Sequence, residues 1–394
     1  MDIFEKCFNF NKVEELKKEN LYPYFHTLNS SQDTVVLMEG KRTVMLGSNN
    51  YLGLTVEESV KESGINAIKK YGTGCSGSRF LNGTLDSHVQ LEKELAEFLD
   101  KEDVVTFSTG FQSNLGIISS IVGMHDYVIC DKENHASIYD GCKLSYGKMI
   151  RYEHSDMEDL ENKLKTLDLL SHGALIVTDG VFSMGGDIAK LPEIVKIAKK
   201  YGARVMVDDA HALGVLGKHG RGTAEYFDLE KEVDIYMGTF SKSLASLGGY
   251  MASTKKVCEF VRHSSRPFIF SASITPSSVA VAREALKIIK EHPERKARLL
   301  EVSSYMRNKL KAYGVKIIES NTPIIPIYVY EDEKAFLACK LLLERGVYVN
   351  PVVSPATPKG KALLRTSYTA THKFEDLDYA SKQIYEVLKQ IEVI

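Results

Sequence analysis

The stretch that decides the fold is VDIYMGTFSKSLASLGG, residues 233–249. It begins as an apolar, β-branched run that predicts a buried strand ending at Gly238. Lys242 follows among small hydroxyl and glycine residues, where the backbone can approach a ligand closely. A lysine beside apolar strand ends loses hydration, which lowers the pKa of its amine and makes it nucleophilic near neutral pH. The stretch therefore indicates either a Schiff-base lysine or an ordinary solvated loop lysine. The other motifs of the chain distinguish between these two interpretations.

Alternating apolar runs predict an α/β fold around this stretch. Longer helical patterns, such as Phe111–Ile121 and Leu191–Tyr201, separate several of the runs. This alternation favours a mostly parallel sheet with helices on both faces, and ligands bind such sheets beyond the carboxyl ends of the strands. The predicted strands are Val104–Phe107, Tyr127–Cys130, Ala174–Val177, Arg204–Val207, Val233–Met237 and Gly249–Ala252.

Three segments are predicted along the chain. Residues 1–45 form an N-terminal arm, residues 46–285 form the large domain that contains the sheet, and residues 286–394 form a smaller C-terminal α/β domain. A long amphipathic helix from Ser277 to about His292 links the two domains. The smaller domain has predicted strands at Val315–Ile318, Ile324–Tyr330 and Leu363–Ser367 and predicted helices at Glu333–Arg345 and Phe374–Ile391.

Length and composition exclude several classes of partner. The chain has 394 residues, and its 50 Lys and Arg residues balance 52 Asp and Glu residues without a long basic run, so nucleic acid is not an expected partner. The six cysteines lack CxxC spacing and predict buried side chains in a reducing, cytoplasmic compartment. No apolar run resembles a signal peptide or reaches the roughly 20 residues of a membrane span.

Gly72, Gly74 and Gly77 match the GxGxxG pattern of dinucleotide-binding proteins. That pattern requires a preceding strand and a following helix, whereas here a helical pattern, roughly Val56–Lys70, comes first. A loop that lies close to a ligand or to a partner's backbone therefore fits better than a nicotinamide site.

Small polar residues follow the predicted strands at their carboxyl ends. Residues 108–111 read STGF and enter a helix, so their free N–H groups suit a phosphate, although a plain N-cap explains them equally well. His135 is either a satisfied core histidine or a ring stacked on a planar cofactor. Ser183 follows the third strand and offers a hydroxyl donor.

An acidic pair, Asp208 and Asp209, ends the fourth predicted strand. Burying a carboxylate is costly unless a cation pairs with it, and a protonated pyridine nitrogen would be such a cation. A metal site formed with His211 and His219 is the alternative, but no helical His spacing or further Cys/His cluster supports it. In the smaller domain, Arg365 lies within an apolar strand pattern and needs an anion, either a substrate carboxylate or one of the protein's own.

The order of these motifs, from residues 48–53 (SNNYLG) to Leu364-Arg365, resembles that of the α-oxoamine synthases. These enzymes depend on pyridoxal 5'-phosphate (PLP) and join an amino acid to an acyl-CoA with loss of CO2. The resemblance implies the aspartate-aminotransferase fold (fold type I), with a large, mostly parallel seven-stranded sheet domain and a smaller C-terminal α/β domain. It also implies a homodimer with its active sites at the subunit interface.

Three stretches are similar to the members of this family that use L-serine and a long-chain acyl-CoA. They are Gly238–Ser243, Arg266–Ser273 and Pro355–Pro358. Members that make aminolevulinate, oxononanoate or aminoketobutyrate usually carry a glycine where this chain has Ser241, and they are the alternative. Some bacterial members have a second arginine at the place of Val353.

The resemblance also implies a role for each candidate residue. Lys242 would bind PLP covalently and act as the base at the substrate Cα, Asp208 would pair with the ring nitrogen, and His135 would stack on the ring. Arg365 would take the substrate carboxylate, and no metal is expected. The implied catalytic residues are Lys242, His135, Asp208 and His211, the further cofactor-binding residues are Thr109, Gly110, Phe111, Ser183, Thr239 and Ser241, and the further substrate-binding residues are Asn50, Ser76 and Thr357.

Overall fold

The computed structural model describes residues 2–394, in which strands and helices alternate through the middle of the chain. The strands are β1 (Val35–Met38), β2 (Lys41–Met45), β3 (Asp103–Phe107), β4 (Tyr127–Asp131), β5 (Lys148–Tyr152), β6 (Ala174–Asp179), β7 (Arg204–Asp208), β8 (Ile235–Thr239), β9 (Gly249–Ser253), β10 (Ile324–Tyr330), β11 (Val347–Tyr348), β12 (Asn350–Val352) and β13 (Ala362–Ser367). The helices are α1 (Glu5–Phe8), α2 (Lys12–Lys18), α3 (Glu58–Tyr71), α4 (Asp86–Leu99), α5 (Gly110–Ile121), α6 (Ala136–Leu144), α7 (Met157–Lys165), α8 (Leu191–Tyr201), α9 (Thr223–Tyr226), α10 (Lys255–Ser264), α11 (Arg266–Ile269), α12 (Pro276–Glu291), α13 (Pro293–Ala312), α14 (Asp332–Glu344) and α15 (Phe374–Gln390).

The large domain is built on a seven-stranded sheet with the order β3-β9-β8-β7-β6-β4-β5. The pairings from β8 through β5 are parallel, and β9 runs antiparallel to both of its neighbours. The predicted mostly parallel, seven-stranded sheet is therefore confirmed. The apolar pattern missed β5 because this edge strand exposes Lys148 and Arg151 and buries only Tyr152 fully.

Side chains of the central strands alternate between two cores, one on each face of the sheet. Ile176 and Val207 belong to the larger core, whereas their neighbours Val177 and Met206 belong to the smaller one. Because both faces are covered, these strands read as continuous apolar runs, which explains why the sequence pattern detected them. All four of these side chains are completely buried.

Helix α12 confirms the predicted long helix; the Thr275 hydroxyl caps its first turn by accepting from the Ser278 N–H. The 20-residue helix α13 was not predicted, although its buried apolar residues Leu299, Val302, Met306 and Leu310 recur at helical spacing. Within residues 2–394, none of the helices is long and apolar enough to cross a membrane.

The smaller domain contains the antiparallel sheet β10-β13-β12. A second three-stranded sheet joins β1 and β2 to β11, so that residues 35–45 pair with the C-terminal part of the chain. The segment Val315–Ile318, predicted as a strand, forms only an isolated bridge between Ile317 and Ile327. The domain boundaries at residues 45 and 285 stay a prediction.

Candidate active site

A cavity of about 220 Å³ lies beyond the carboxyl ends of the parallel strands β4, β6, β7 and β8. A larger groove, of about 700 Å³, lies elsewhere on the sheet and contains none of the predicted site residues. The cavity is lined by Thr109, Gly110, Phe111, Asn114, His135, Ser137, Asp179, Asp208, Ala210, His211, Met237, Thr239, Ser241, Lys242 and Leu247. It therefore contains every predicted cofactor-binding residue except Ser183.

Lys242 enters this cavity from the turn after β8. Burial lowers the pKa of its amine to about 8, while the nearby carboxylates of Asp208 and Asp179 partly oppose the shift. Within residues 2–394 the Lys242 amine takes part in no hydrogen bond or ion pair. An unpaired amine with this pKa is a nucleophile and a base near neutral pH, as the Schiff-base interpretation requires.

Asp208 ends β7 and is almost completely buried, with 3% of its surface exposed. Its Oδ2 accepts a hydrogen bond from Asn114 Nδ2 at 2.7 Å, and its Oδ1 accepts from the Ala210 N–H at 2.9 Å. No Lys, Arg or His among residues 2–394 forms an ion pair with it. A buried carboxylate that faces a cavity and has no ion-pair partner fits a ligand that carries a positive charge.

Asp209 has a different environment because successive side chains of an extended strand point to opposite sides. Its carboxylate accepts from the hydroxyl of Thr223 at 2.6 Å and from the Thr223 N–H at 3.0 Å. Burial raises its pKa to about 7. His219 bonds to Glu225 instead, and no three His, Cys, Asp or Glu side chains of residues 2–394 are arranged as metal ligands.

Two histidines flank the cavity, and burial lowers the pKa of both. His135 caps α6, and its Nδ1 lies 2.8 Å from Ser137 Oγ, while its ring packs edge-on against Phe111 with a centroid distance of 6.3 Å. His211 Nδ1 lies 2.6 Å from the hydroxyl of Tyr51, whose pKa burial raises to about 12. Partial desolvation and the nearby Lys242 amine therefore favour the uncharged form of both rings.

The N-terminus of α5 provides a site suited to phosphate. Thr109 caps this 12-residue helix by accepting from the Gln112 N–H at 3.1 Å, and Gly110 begins it. The hydroxyls of Thr239 and Ser241 lie 3.0 Å apart beside it. A Cβ on Gly110 would come within 2.6 Å of Thr239 Oγ1, so glycine is needed for this close approach. Free N–H groups, two hydroxyls and the positive end of a helix suit a phosphate.

Arg365 lies on β13 of the smaller domain and is buried. Its Nε donates to the Ser183 carbonyl at 2.6 Å, and its Nη2 donates to Asn49 Oδ1 at 2.9 Å. No carboxylate of residues 2–394 pairs with it. The internal salt bridge, which the sequence left open, is therefore not formed, and the guanidinium retains the capacity to bind an anion from outside.

A model of the family "Aminotransferase class I and II" matches residues 41–384. The chain belongs to this family. It is 51% identical to serine palmitoyltransferase from Sphingobacterium spiritivorum, over 99% of this chain and 97% of the relative. It is also 45% identical to 8-amino-7-oxononanoate synthase from Thermoanaerobacter pseudethanolicus, over 97% of both chains.

Solved structures agree with this assignment of the family. A solved structure of serine palmitoyltransferase (SPT) with PLP aligns over 100% of both chains, with a TM-score of 0.97 and 36% identity. Serine palmitoyltransferase from Sphingomonas wittichii covers the same share with a TM-score of 0.95 and 36% identity. The expected fold type I of PLP-dependent enzymes is thereby confirmed, as is the resemblance to the α-oxoamine synthases.

The predicted substrate-binding residues do not line the cavity. Arg365 is close enough to lower the pKa of the Lys242 amine, and Ser76 is exposed in a loop with a φ of 55°. Asn50 Oδ1 and Thr357 Oγ1 are buried and lack a hydrogen-bond partner within residues 2–394. The roles of these four residues stay predictions.

Several residues of the site were not singled out from the sequence. Asp179 ends an apolar strand just as Asp208 does, so the same signal was available for it. Asn114 lies one helical turn after Gly110, a spacing that places both on one face of α5. Ser137 and Asn49 could not be singled out, because their contacts with Asn114 and Arg365 join residues 23 and 316 positions apart.

Proposed function

We propose that this protein is a serine palmitoyltransferase. It condenses L-serine with a long-chain acyl-CoA, palmitoyl-CoA, and releases 3-ketodihydrosphingosine, CoA and CO2. Relatives of that name are 51% and 47% identical over 99% of the chain. One observation of the site carries the chemistry: the Lys242 amine and the Asp208 carboxylate face one cavity, and neither has an ion-pair partner within residues 2–394.

The cofactor is PLP, and the residues of the cavity fit it. The N-terminus of α5 with Thr239 and Ser241 would hold the phosphate, Asp208 would hold the ring nitrogen, and Lys242 would bind covalently. When bound, PLP supplies an electron sink that stabilises negative charge at the substrate Cα. His135 would pack on the ring and His211 would donate to its phenolic oxygen.

The chain's own residues supply binding and proton transfer. Arg365 binds the serine carboxylate and fixes the orientation of the substrate Cα. The Lys242 amine, uncharged above its pKa of about 8, takes the proton from that carbon and holds it at Nζ. Asn114 and Ala210 fix the Asp208 carboxylate in place, where it would keep the ring nitrogen of bound PLP protonated.

The test is a product assay by mass spectrometry with L-serine and acyl-CoAs of graded chain length. We expect 3-ketodihydrosphingosine with palmitoyl-CoA and a rate that falls with shorter chains. The second candidate is another α-oxoamine synthase, glycine C-acetyltransferase or 8-amino-7-oxononanoate synthase, which the 45% identical relative supports. A cofactor absorbance that responds to glycine or alanine but not to serine would favour that candidate.

The pKa of Lys242 predicts how cofactor binding depends on pH. Only the uncharged amine reacts, so we expect the rate of PLP attachment to the apoprotein to rise about tenfold per pH unit below pH 8 and to level off above it. Stopped-flow absorbance measures this rate. N-acetyl-lysine amide is the control, because its rate should keep rising toward the ordinary lysine pKa of 10.5. A protein profile that follows the control contradicts the low pKa.

Replacement of Arg365 tests carboxylate binding. In Arg365→Lys the charge stays, but lysine cannot bond to the Ser183 carbonyl and Asn49 Oδ1 and also reach the substrate. We expect the KM for serine to rise on the order of 10- to 100-fold, with a smaller change in kcat. Arg42→Lys is the control, since Arg42 is exposed and pairs with Asp376 on the surface. An unchanged KM would exclude Arg365 from the serine site.

We further propose that the enzyme is a homodimer. Phe80, Leu81 and Phe270 expose 56%, 76% and 77% of their surface, which a second subunit would bury. Their two loops are joined by a bond from the Ser273 N–H to the Gly77 carbonyl, so they form one surface near Ser76. Light scattering should give twice the mass of one chain, and a monomer at micromolar concentration would contradict the proposal.

A further inference from the structure

Four side chains, of which Asp208, Asn114 and Ser137 are buried, form a continuous hydrogen-bond chain that ends at the more exposed His135. Asn114 Nδ2 donates to Asp208 Oδ2 at 2.7 Å and to Ser137 Oγ at 2.8 Å, and Ser137 Oγ lies 2.8 Å from His135 Nδ1. Asn114 is completely buried and Ser137 is 1% exposed. We propose that Asn114 and Ser137 are positioning residues that hold the His135 ring with its proton on Nε2 and link that ring to Asp208.

The direction of each bond follows from the chemistry of the groups. A carboxylate accepts hydrogen bonds, so the Asn114 amide must turn its nitrogen toward Asp208. Both N–H groups of that nitrogen are then used, one for Asp208 and one for Ser137. Asn114 Oδ1 finds no donor within residues 2–394, so the amide is oriented by its nitrogen alone.

Because Ser137 Oγ accepts from Asn114, its own proton is free to be donated to His135 Nδ1. The backbone N–H of Ser137 points at the same atom, at 3.3 Å. Two donors thus converge on Nδ1, and it must be the unprotonated nitrogen. The ring proton is left on Nε2, and the ring itself lines the cavity.

The charged groups around the His135 ring shift its pKa in both directions. Burial, the largest effect, lowers the pKa of His135, Lys242 lowers it further, and Asp208 raises it. Asp179 accepts from the His135 backbone N–H at 2.7 Å, which ties the residue to the end of β6. A positive charge on the ring would also face the positive end of α6, which His135 caps. The uncharged form is favoured.

A consequence for catalysis rests on the proposed function. A ring that carries its proton on Nε2 can donate to a bound substrate or cofactor but cannot remove a proton from the substrate through that atom. Lys242 is then the basic group of the cavity, and His135 is a donor. The tautomer itself does not depend on which substrates the enzyme uses.

The experiment is NMR of the full chain with ring-labelled histidine, with and without PLP. The signal of His135 among the 11 histidines is assigned by its loss in His135→Gln. We expect Nδ1 unprotonated and Nε2 protonated in the wild type at neutral pH. In Ser137→Ala we expect both tautomers and a pKa of His135 higher by about half a unit to one unit, because a donor to the neutral ring is lost. Asn114→Ala should give a smaller shift in the same direction.

Ser145→Ala is the matched control, because this serine lies at the other end of α6 and its hydroxyl donates to the Cys142 carbonyl. Its spectrum should equal that of the wild type. A proton on Nδ1 in the wild type overturns the proposal even if the variants do not fold, and so does a Ser137→Ala spectrum with an unchanged tautomer and pKa. An enzyme with the expected tautomer that makes no product from serine would refute the proposed function and leave this inference standing.

Discussion

Lys242→Ala is expected to abolish both the visible absorbance of lysine-bound PLP and turnover. The amine of Lys242 is the only lysine amine among the residues that line the cavity, so its removal leaves no group there for covalent attachment. The same change removes the proposed base at the substrate Cα, and general bases contribute about 10²- to 10⁴-fold to rates. We expect kcat to fall by at least about 10³-fold, measured as product formed from serine and palmitoyl-CoA.

The control for this change is Lys256→Ala. Lys256 is exposed on α10, away from the cavity, and its loss should leave absorbance and turnover as in the wild type. The Lys242 variant should keep its melting temperature, because the amine forms no bond within residues 2–394 that folding depends on. Activity retained by Lys242→Ala would show that Lys242 neither binds PLP covalently nor removes the proton from the substrate Cα.

The strand ends were predictable from the sequence because they obey a local rule. Apolar runs mark the central strands, and in a parallel sheet the residues after those runs meet at one edge. Lys242, Asp208, His211 and His135 all follow such runs, and the structure brings them to one cavity. The sequence could therefore locate the site without the register of the sheet.

Contacts between distant segments were not predictable in this way. Arg365 reaches the Ser183 carbonyl and Asn49 across 182 and 316 residues, and no local pattern encodes such pairs. Ser183 was expected to offer its hydroxyl, but the structure uses its backbone carbonyl. Tyr51 was noted only as part of a turn, although its hydroxyl lies 2.6 Å from His211 Nδ1.

The acidic pair Asp208–Asp209 shows what a local sequence pattern can predict and what it cannot. The sequence predicted that a buried Asp208–Asp209 pair needs a cation, but only one of the two faces the cavity. Asp209 is satisfied by Thr223 and carries a pKa of about 7, so burial partly neutralises it without any cation. Side chains alternate along an extended strand, which explains why the two carboxylates have different surroundings. Asp209 therefore provides a control for a change at Asp208.

Asp208→Asn is expected to lower kcat by about 10²- to 10³-fold and to weaken PLP binding. The change keeps the shape of the side chain but removes the negative charge that, in the proposed role of Asp208, would hold the ring nitrogen protonated. Without it the ring would no longer stabilise negative charge at the substrate Cα. It also puts an amide nitrogen where an oxygen now accepts from Asn114 or Ala210, which costs some stability. The loss of activity must therefore be separated from the loss of structure.

Asp209→Asn is the control that separates loss of activity from loss of structure. It replaces an equally buried carboxylate that also accepts two hydrogen bonds. Both variants should lose a similar amount of thermal stability, since each replaces one acceptor by a donor. Only Asp208→Asn should lose turnover and the slow exchange of the serine Cα proton with D2O, which reports proton removal without acyl-CoA. Equal losses of Cα proton exchange in both variants would show that the negative charge at Asp208 has no special part in the chemistry. Asp208 would then not be the residue that pairs with the ring nitrogen.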